Sequence, residues 1–276
     1  MRSKRWSIGT AAAVIALVAG GVAVAAGPWP GLASSITASD GSVRYAAKAS
    51  GSSTRVTATR ARDGRVLRVG RVAGAFGVPA VTIAGAPGGL SADGRTLVLS
   101  QPPNFQTPPK STRFVVLSAT TLRPIRVVSL RGDFGFDALS PDSHTLYLIQ
   151  HRSIDDASYA VRAYDLRAGK LLAGAIVDKS ETDQTMRGFP VARATSGDAT
   201  WVYTFYNRNG REPFIHALNT RERYAICVDL PWQGSADAIW TASLELSGDG
   251  RQLLVKMPNG ATAATVDTQT LRVVAS

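Results

Sequence analysis

One short pattern recurs along this chain at a nearly constant spacing, and no other feature restricts its fold as strongly. Three copies are clear and two are weaker: 89–101 (GLSADGRTLVLSQ), 139–150 (LSPDSHTLYLIQ), 246–257 (LSGDGRQLLVKM), 195–204 (TSGDATWVYT) and 37–46 (TASDGSVRYA). Aligned on Asp40, Asp93, Asp142, Asp198 and Asp249, the copies are separated by 53, 49, 56 and 51 residues. A period near fifty residues is typical of a fold built from repeated supersecondary units.

Each copy is predicted to be part of a unit of four short strands. In the second unit we expect strands at 81–91, 96–100, 114–118 and 125–130, rich in the Val, Leu and Thr that suit a half-buried pleated surface. Asp93-Gly94 predicts a tight turn, because Gly adopts positive φ freely and Asp tolerates it. A second hairpin pattern, in which a strand ends in Asp, Asn or Ala before a polar turn, occurs at 54–72, 113–130, 159–177, 213–230 and 261–274.

This combination, an S-x-D-G turn followed by a V-x-D-x-x-T-G-like hairpin, resembles the YVTN/WD40-like β-propeller repeats of bacterial secreted proteins over nearly all of 33–276. The resemblance implies an all-β fold, a β-propeller of four-stranded blades in one domain, 27–276. Five repeats are detected, at 33–72, 80–130, 134–177, 188–230 and 236–274, and six blades is the alternative if 28–36 adds strands. The Trp-Asp and Gly-His signatures of eukaryotic WD40 blades are absent, so the assembly roles of that family are not implied.

The N-terminal segment 1–26 is predicted to be a signal peptide or an N-terminal membrane anchor. A basic start (Arg2, Lys4, Arg5) precedes an uncharged, Ala- and Val-rich stretch at 10–26, with small-residue cleavage patterns at its end. In either case the domain is expected to be extracytoplasmic, secreted or tethered to the cell membrane. The single Cys227 permits no disulfide within the chain, and we expect an inert buried thiol.

Loop lengths predict which face binds a ligand. Turns between first and second and between third and fourth strands are short, whereas the other two connection classes reach 12 residues, as at 101–112. In a four-stranded meander the two longer classes emerge on one face, and rigid scaffolds commonly carry their sites on such loops. The candidate residues on this face are Asn104, Phe105, His151, Arg152, Asp155, Asp156, Glu181, Asp183, Arg187, Arg208 and Trp232. The alternative is that these loops are tolerated insertions.

The chemistry of these candidates is mixed. Phe105 and Trp232 suit either stacking on a ligand or plugging the loops against the sheets. The four acidic residues offer oxygen ligands, but no D-x-D-x-D-G loop is present, so we predict no metal and no cofactor.

Catalytic motifs are lacking in the sequence. His144, His151 and His216 are far apart and are expected in a turn, a loop and a strand, and no G-x-S-x-G, P-loop or H-E-x-x-H occurs. No catalytic residue is therefore predicted. A propeller can still assemble one His or Asp from each blade around its axis, so an enzyme with axial acid residues remains the alternative.

Charge is the remaining signal. The net charge of +11 falls to +8 without the three basic residues of the N-terminal segment, since 28 basic then face 20 acidic residues. The stretch 44–71 contains eight basic residues and a single acidic one, Asp63. The basic residues form a patch: Arg44, Lys48, Arg55, Arg60, Arg62, Arg65, Arg68 and Arg71. Such an edge discourages strand pairing between molecules, or it attracts anionic lipid headgroups or cell-wall polymers.

From the sequence we predict an exported, non-enzymatic binding or interaction module that uses its long-loop face. The alternatives are a propeller hydrolase or lyase, and an envelope-associated scaffold that works through the basic edge of blade one. The expected partners are an unidentified protein or envelope polymer, or an anionic membrane surface, and not nucleic acid.

Overall fold

The recurring aspartates form turns of one geometry in the computed structural model, which describes residues 29–153, 157–178, 186–208 and 210–275. At Asp93, Asp142, Asp198 and Asp249 the carboxylate accepts a hydrogen bond from the serine two residues earlier, at 2.5–2.7 Å. It accepts another, at 3.0 Å, from the backbone N–H two residues later. The serine oxygen in turn accepts the N–H five residues after it, at 2.9 Å. Each S-x-D motif therefore ties the end of one strand to the start of the next.

The described part of the chain is almost entirely β-strand. It begins with β1 (Leu32–Ala33) and sheet 1, which contains β2 (Ile36–Thr37), β3 (Val43–Ser50), β4 (Ser53–Arg60) and β5 (Val66–Ala73). Strand β6 (Val78–Pro79) pairs with β1. Sheet 2 follows, with β7 (Thr96–Ser100), β8 (Ser111–Ser118) and β9 (Pro124–Arg131).

The second half of the chain continues the same plan. Sheet 3 contains β10 (Phe134–Leu139), β11 (Thr145–Ser153), β12 (Ser158–Asp165) and β13 (Lys170–Leu171), and β14 (Met186–Arg187) pairs with β12. Sheet 4 contains β15 (Phe189–Thr195), β16 (Trp201–Asn207), β17 (Phe214–Asn219) and β18 (Tyr224–Asp229). A one-turn helix, α1 (Ala236–Ile239), leads to sheet 5, with β19 (Ser243–Leu246), β20 (Gln252–Lys256), β21 (Thr262–Asp267) and β22 (Arg272–Ala275). Apart from the β1–β6 and β12–β14 pairs, the strands of each sheet pair antiparallel in chain order, so each sheet is a meander.

The expected strand at 81–91 is wrong. This stretch makes only isolated bridges, between Ala80 and Pro87 and between Leu90 and Leu97. Pro87 has no N–H to donate to a ladder, and Gly85 and Gly89 adopt positive φ. Sheet 2 therefore has three strands, and the segment before it folds across its inner edge instead.

The core consists of four apolar layers, each between consecutive sheets. Val56 and Leu97 belong to the layer between sheets 1 and 2, and Val98 to the layer between sheets 2 and 3. Tyr159 belongs to the layer between sheets 3 and 4 and Phe205 to the layer between sheets 4 and 5. Because neighbours in a strand point to opposite faces, β7 is buried on both sides. Among the described residues no core cluster joins sheet 5 to sheet 1.

Two further expectations concern single features. Cys227 lies in β18 and is half-buried rather than fully buried. His151 lies in strand β11 and not in a loop, because β11 extends to Ser153. Within the described ranges no helix is long and apolar enough to cross a membrane.

Candidate binding site

A pocket opens where the inner strands of sheets 3 and 4 meet the connections around them. The start of each first strand and the end of each second strand lie at the same end of a meander, which is the end that carries the longer loops. The pocket uses these positions: Phe134–Asp137 at the start of β10, His151 late in β11, Pro190 and Arg193 in β15, and Tyr206 in β16. Residues 29–31 and 100–103 complete its wall.

Trp29 closes one side of this pocket. Its ring stacks on His151 with the centroids 4.1 Å apart and the planes 11° from parallel, and it also contacts Phe189. Only 4% of Trp29 is exposed. His151 Nδ1 lies 3.1 Å from Asp133 Oδ2, a contact at ion-pair distance that is not an aligned hydrogen bond. The first described residue of the chain is therefore part of the pocket wall.

A buried ion pair lies at the base of the pocket. Arg193 donates from one terminal nitrogen to the backbone oxygen of Asp137 at 2.5 Å, and from the other to its carboxylate. Asp137 is 3% exposed and lies where the register of β10 shifts between Phe136 and Ala138. Such an irregularity redirects a side chain out of the regular alternation. The pair holds a charged group where the sheets would otherwise be apolar.

Several buried polar atoms around the pocket have no hydrogen-bond partner within the described residues. Among them are Trp29 Nε1, Arg193 Nε and the Tyr159 hydroxyl. The first two are donors only. Burial raises the pKa values of Tyr159 and Tyr206, so both hydroxyls are neutral at physiological pH. The lining of the pocket therefore includes buried donors that have no partner among the described residues.

His216 is buried in β17 behind Tyr206, whose ring it meets edge-on at 6.4 Å. Burial lowers the pKa of His216 to about 4, so its ring is neutral at physiological pH. Its Nε2 has no hydrogen-bond partner in the described part of the chain. His216 lies outside the pocket lining and carries no charge toward it.

A second cavity, of about 140 Å³, lies toward the short-turn end. It is lined by residues such as Ile36, Leu90, Leu139, Thr195 and Val202. Both cavities share Val81, Phe136, Asp137 and Arg193. The ion pair therefore separates two cavities within the space that the inner strands surround.

The residues predicted for the ligand face are distributed over several places. Of the candidates that the structure describes, His151 alone lines the pocket. Phe105 is partly buried against the core between sheets 3 and 4, and the Asn104 side chain accepts backbone N–H groups of its own loop at 3.0 and 3.2 Å. Arg152 and Arg187 are exposed on β11 and β14.

Two further candidates have structural contacts. Arg208 pairs with Asp229 at 2.8 Å and lies over the Phe214 ring at 4.1 Å. Trp232 packs beside Phe205 at a ring separation of 5.9 Å and donates to the Ser235 backbone oxygen. Asp155, Asp156, Glu181 and Asp183 lie outside the described residues. Within those residues no group of three or more His, Cys, Asp or Glu could hold a metal ion.

The basic patch is divided between two faces of sheet 1 and its hairpin. Arg60 and Arg62 lie within 4 Å of Asp63, and Arg65 lies in the same β4–β5 connection. Arg68 is opposite Ala58, which is buried toward sheet 2. The remaining members, Arg44, Lys48, Arg55 and Arg71, share the opposite face.

Sequence reasoning missed Trp29, Asp133, Asp137, Tyr159, Arg193 and Tyr206. One signal was available in the repeat itself. Asp137 precedes Ser140 by the same three residues as Arg193 precedes Ser196, so the two occupy equivalent positions of consecutive units. Equivalent positions on inner strands lie next to each other around the centre of a repeated fold, and an acid and a base there predict an ion pair.

Comparisons with known proteins concern the fold. No protein-family model and no curated protein matches the chain. Among solved structures the chain is similar to the β-propeller domain of Myceliophteria thermophila Cps50 (Swd1), with a TM-score of 0.52, 14% identity, and coverage of 88% of this chain and 67% of that one. TolB from Acinetobacter baumannii gives a TM-score of 0.48 and 12% identity over 87% of this chain and 52% of its own. BamB from Moraxella catarrhalis gives a TM-score of 0.41 and 14% identity, over 86% and 61%.

The antiparallel sheets and the likeness to the Swd1 domain define the class of this protein. It has a WD40-like β-propeller fold, as the repeat in the sequence predicted. At 14% identity the likeness extends to the fold and not to a function.

Proposed function

We propose that this protein is an extracytoplasmic propeller of five blades that binds a small, acceptor-rich ligand in the pocket beneath Trp29. The observation that carries the proposal is a pair of buried donors, Trp29 Nε1 and Arg193 Nε, that have no partner among the residues the structure describes. The ligand is a carboxylate or another group with several oxygen acceptors. The protein is a binding module of the kind that many propellers form.

The energetic argument rests on these donors. A buried donor without a partner costs about 1–3 kcal/mol, and native structures rarely keep one without a reason. A ligand that brings oxygen acceptors into the pocket would supply partners for these donors. Asp137 occupies the two terminal nitrogens of Arg193 through its backbone oxygen and its carboxylate, so among the described residues the Nε is the donor of this guanidinium without a partner.

The pocket is also rigid enough to be selective. Pro30, Pro79, Pro102, Pro103 and Pro190 form much of its wall. Proline has a fixed φ and loses little entropy when a ligand orders the site. The volume of the pocket, about 40 Å³, admits only a small group at full depth, so a larger ligand would insert one end. Such a ligand would place an oxygen-bearing terminus in the pocket.

The ligand is tested by thermal melting of the full chain with acetate, succinate, N-acetylglucosamine, the dipeptide Ala-Ala and inorganic phosphate. A ligand that binds only the folded state raises the melting temperature. Trp29→Phe keeps the stacked ring and removes only the indole donor. We expect it to bind the best probe roughly tenfold more weakly, which is the cost of losing one hydrogen bond to an ionised acceptor.

Trp201→Phe is the matched control, because Trp201 stacks on Tyr203 at the other end of β16. Equal weakening by both variants would show that the pocket is not the site. The absence of any melting shift with all five probes would contradict an acceptor-rich small ligand.

A second candidate function is acid–base catalysis, and the contact between His151 and Asp133 in the pocket favours it. The ring of His151 is covered on one face by Trp29, which restricts its approach to a substrate. Conversion of a bound probe, followed by mass spectrometry, would favour the enzyme; recovery of the probe unchanged would favour the binding module.

The proposed extracytoplasmic location rests on the sequence of 1–26 and on the resemblance of the repeats to those of secreted YVTN proteins. It is tested by fusing alkaline phosphatase, which is active only in an oxidising compartment, to the C-terminus of the full chain in a bacterial host. We expect an active fusion, and loss of activity when Val14, Ile15 and Leu17 are replaced by Asp. An inactive fusion that accumulates in the cytoplasm would contradict export.

A further inference from the structure

We infer that the free face of sheet 1 is a docking surface for an anionic lipid bilayer. This face carries a row of cations without counter-ions, exposed valines beside them, and a position near the start of the described chain. These three observations do not depend on the pocket, so this inference stands apart from the proposed function.

The cationic row consists of Lys48, Arg55 and Arg71 on three adjacent strands. Lys48 is directly opposite Arg55, and Arg55 is directly opposite Arg71. Val56 and Ala58 are buried toward sheet 2, so Arg55 between its neighbours points the other way. All three cations are exposed. Arg44, four residues before Lys48 on β3, extends the same face.

The row has no acidic neighbour to balance it. In the described part of the chain no carboxylate lies within ion-pair distance of Lys48, Arg55 or Arg71, whereas Arg60 and Arg62 both have Asp63. Like charges directly opposite each other in a sheet are destabilising. A row that costs stability in the isolated protein is expected to be useful against an external anionic surface.

Exposed aliphatic side chains share this face. Val69 is opposite Thr57 and Val66 opposite Thr59, and they are 48% and 56% exposed. Leu67, at the register shift between them, is 40% exposed. Cations with aliphatic residues among them suit the boundary between lipid headgroups and acyl chains, whereas a soluble phosphate polymer contacts only the cations. The valines therefore favour a bilayer over a polymer.

The row also lies at the long-loop end of the molecule, the end at which Trp29 lies. Lys48 and Arg55 flank the turn between β3 and β4, and Arg71 is near the end of β5. In the meander these positions belong to the long-loop end, where Trp29 also lies. The apolar sequence 10–26 ends only two residues before Trp29. The row therefore lies at the same end of the molecule as Trp29, the first described residue after this segment.

Flotation of the full chain with vesicles tests the inference. Pure phosphatidylcholine vesicles measure insertion of the apolar N-terminal segment, and the additional binding to vesicles containing phosphatidylglycerol measures the electrostatic contribution. Each cation near an anionic surface contributes roughly a factor of five. In the variant Lys48→Gln/Arg55→Gln/Arg71→Gln, this additional binding to phosphatidylglycerol vesicles, the phosphatidylglycerol excess, should therefore fall about a hundred-fold. High salt should abolish the excess in the native chain.

Arg123→Gln/Arg251→Gln/Arg272→Gln is the matched control, because it removes three exposed arginines from other sheets. We expect it to keep most of the excess. An equal loss in both variants would reduce the effect to net charge and overturn the inference, as would a native chain without preference for phosphatidylglycerol.

Two further outcomes identify other occupants of this face. Row-dependent binding of soluble polyphosphate without binding to the anionic vesicles would replace the bilayer by a polymer. A lower melting temperature of the row variant, together with no vesicle preference, would show that the face packs on sheet 5 in solution. If the inference holds, the row variant melts at or above the native temperature, because the repulsion within the row is removed.

Discussion

The pocket beneath Trp29 and the free face of sheet 1 use arginine in opposite ways. In the pocket, Arg193 is half-buried, points at a fixed carboxylate and has one donor without a partner among the described residues. On sheet 1, Arg55 and Arg71 are exposed, lie beside each other and have no carboxylate within ion-pair distance in the described part of the chain. A buried, oriented guanidinium recognises the position of an oxygen atom, whereas an exposed row responds only to the density of negative charge.

This difference follows from the packing of the sheets. Sheets 3 and 4 have neighbours on both sides, and their shared layer contains Tyr159, Tyr206 and Phe214 stacked at 5.1–5.2 Å. Sheet 1 is packed on one side only among the described residues, so its other face remains in water. A charge is tolerated in the first environment only with a partner, and in the second without one.

The largest effect is expected from breaking the buried pair. Arg193→Met leaves Asp137 buried without its partner and should lower the free energy of unfolding by about 3–5 kcal/mol. The double variant Asp137→Leu/Arg193→Met removes both charges and should recover most of that loss, because two apolar side chains of similar volume replace the pair. Urea unfolding of the four proteins of this cycle measures both values.

An arginine on the free face of sheet 1 is the control for this cycle. Arg55→Met, on the exposed face, should change the unfolding free energy by less than about 1 kcal/mol. If Arg193→Met is equally mild, the pair is solvated and the pocket is not the desolvated site described above.

The sequence predicted the parts of the fold that depend on neighbouring residues. The S-x-D motif closes its own turn through hydrogen bonds within six residues, so a local pattern was sufficient to locate the strands on either side of it. The prediction of a strand at 81–91 was wrong because it, too, relied on a local pattern. Its apolar residues resemble a strand, but Pro87 and the positive-φ glycines prevent a regular ladder.

The candidate site was less predictable because its residues come from different sheets. Asp137 and Arg193 are 56 residues apart, and Trp29 lies ahead of the first detected repeat, in a stretch considered only as possible additional strands. Loop length pointed to the end of the sheets at which His151 lies. It could not distinguish side chains that face the pocket from Arg208 and Trp232, which have structural contacts of their own.

The smallest predicted effect concerns the residue after each turn aspartate. In all five turns this residue adopts the left-handed backbone conformation. Sheets 1, 2 and 5 have Gly41, Gly94 and Gly250 there, whereas sheets 3 and 4, which form the pocket, have Ser143 and Ala199 at φ 57°. A side chain in this conformation lowers the stability of the fold by roughly 1–2 kcal/mol. Replacement by glycine removes this strain, but part of the gain is lost because glycine has greater freedom in the unfolded chain. Ala199→Gly should therefore raise the free energy of unfolding by about 0.5–1 kcal/mol.

Gly94→Ala is the reciprocal change and should lower the free energy of unfolding by a similar amount. A Cβ at Gly94 meets nothing within 4 Å, so backbone conformation alone decides the result. Urea unfolding of both variants measures the two changes on one scale. Opposite signs would show that the turn between first and second strands is strained in sheets 3 and 4 and relaxed in sheets 1, 2 and 5, whereas equal signs would mean that the turns differ in more than φ. Strain at this turn in sheets 3 and 4 is expected if the turn was shaped to place β10 and β15, and with them Asp137 and Arg193, rather than to maximise stability.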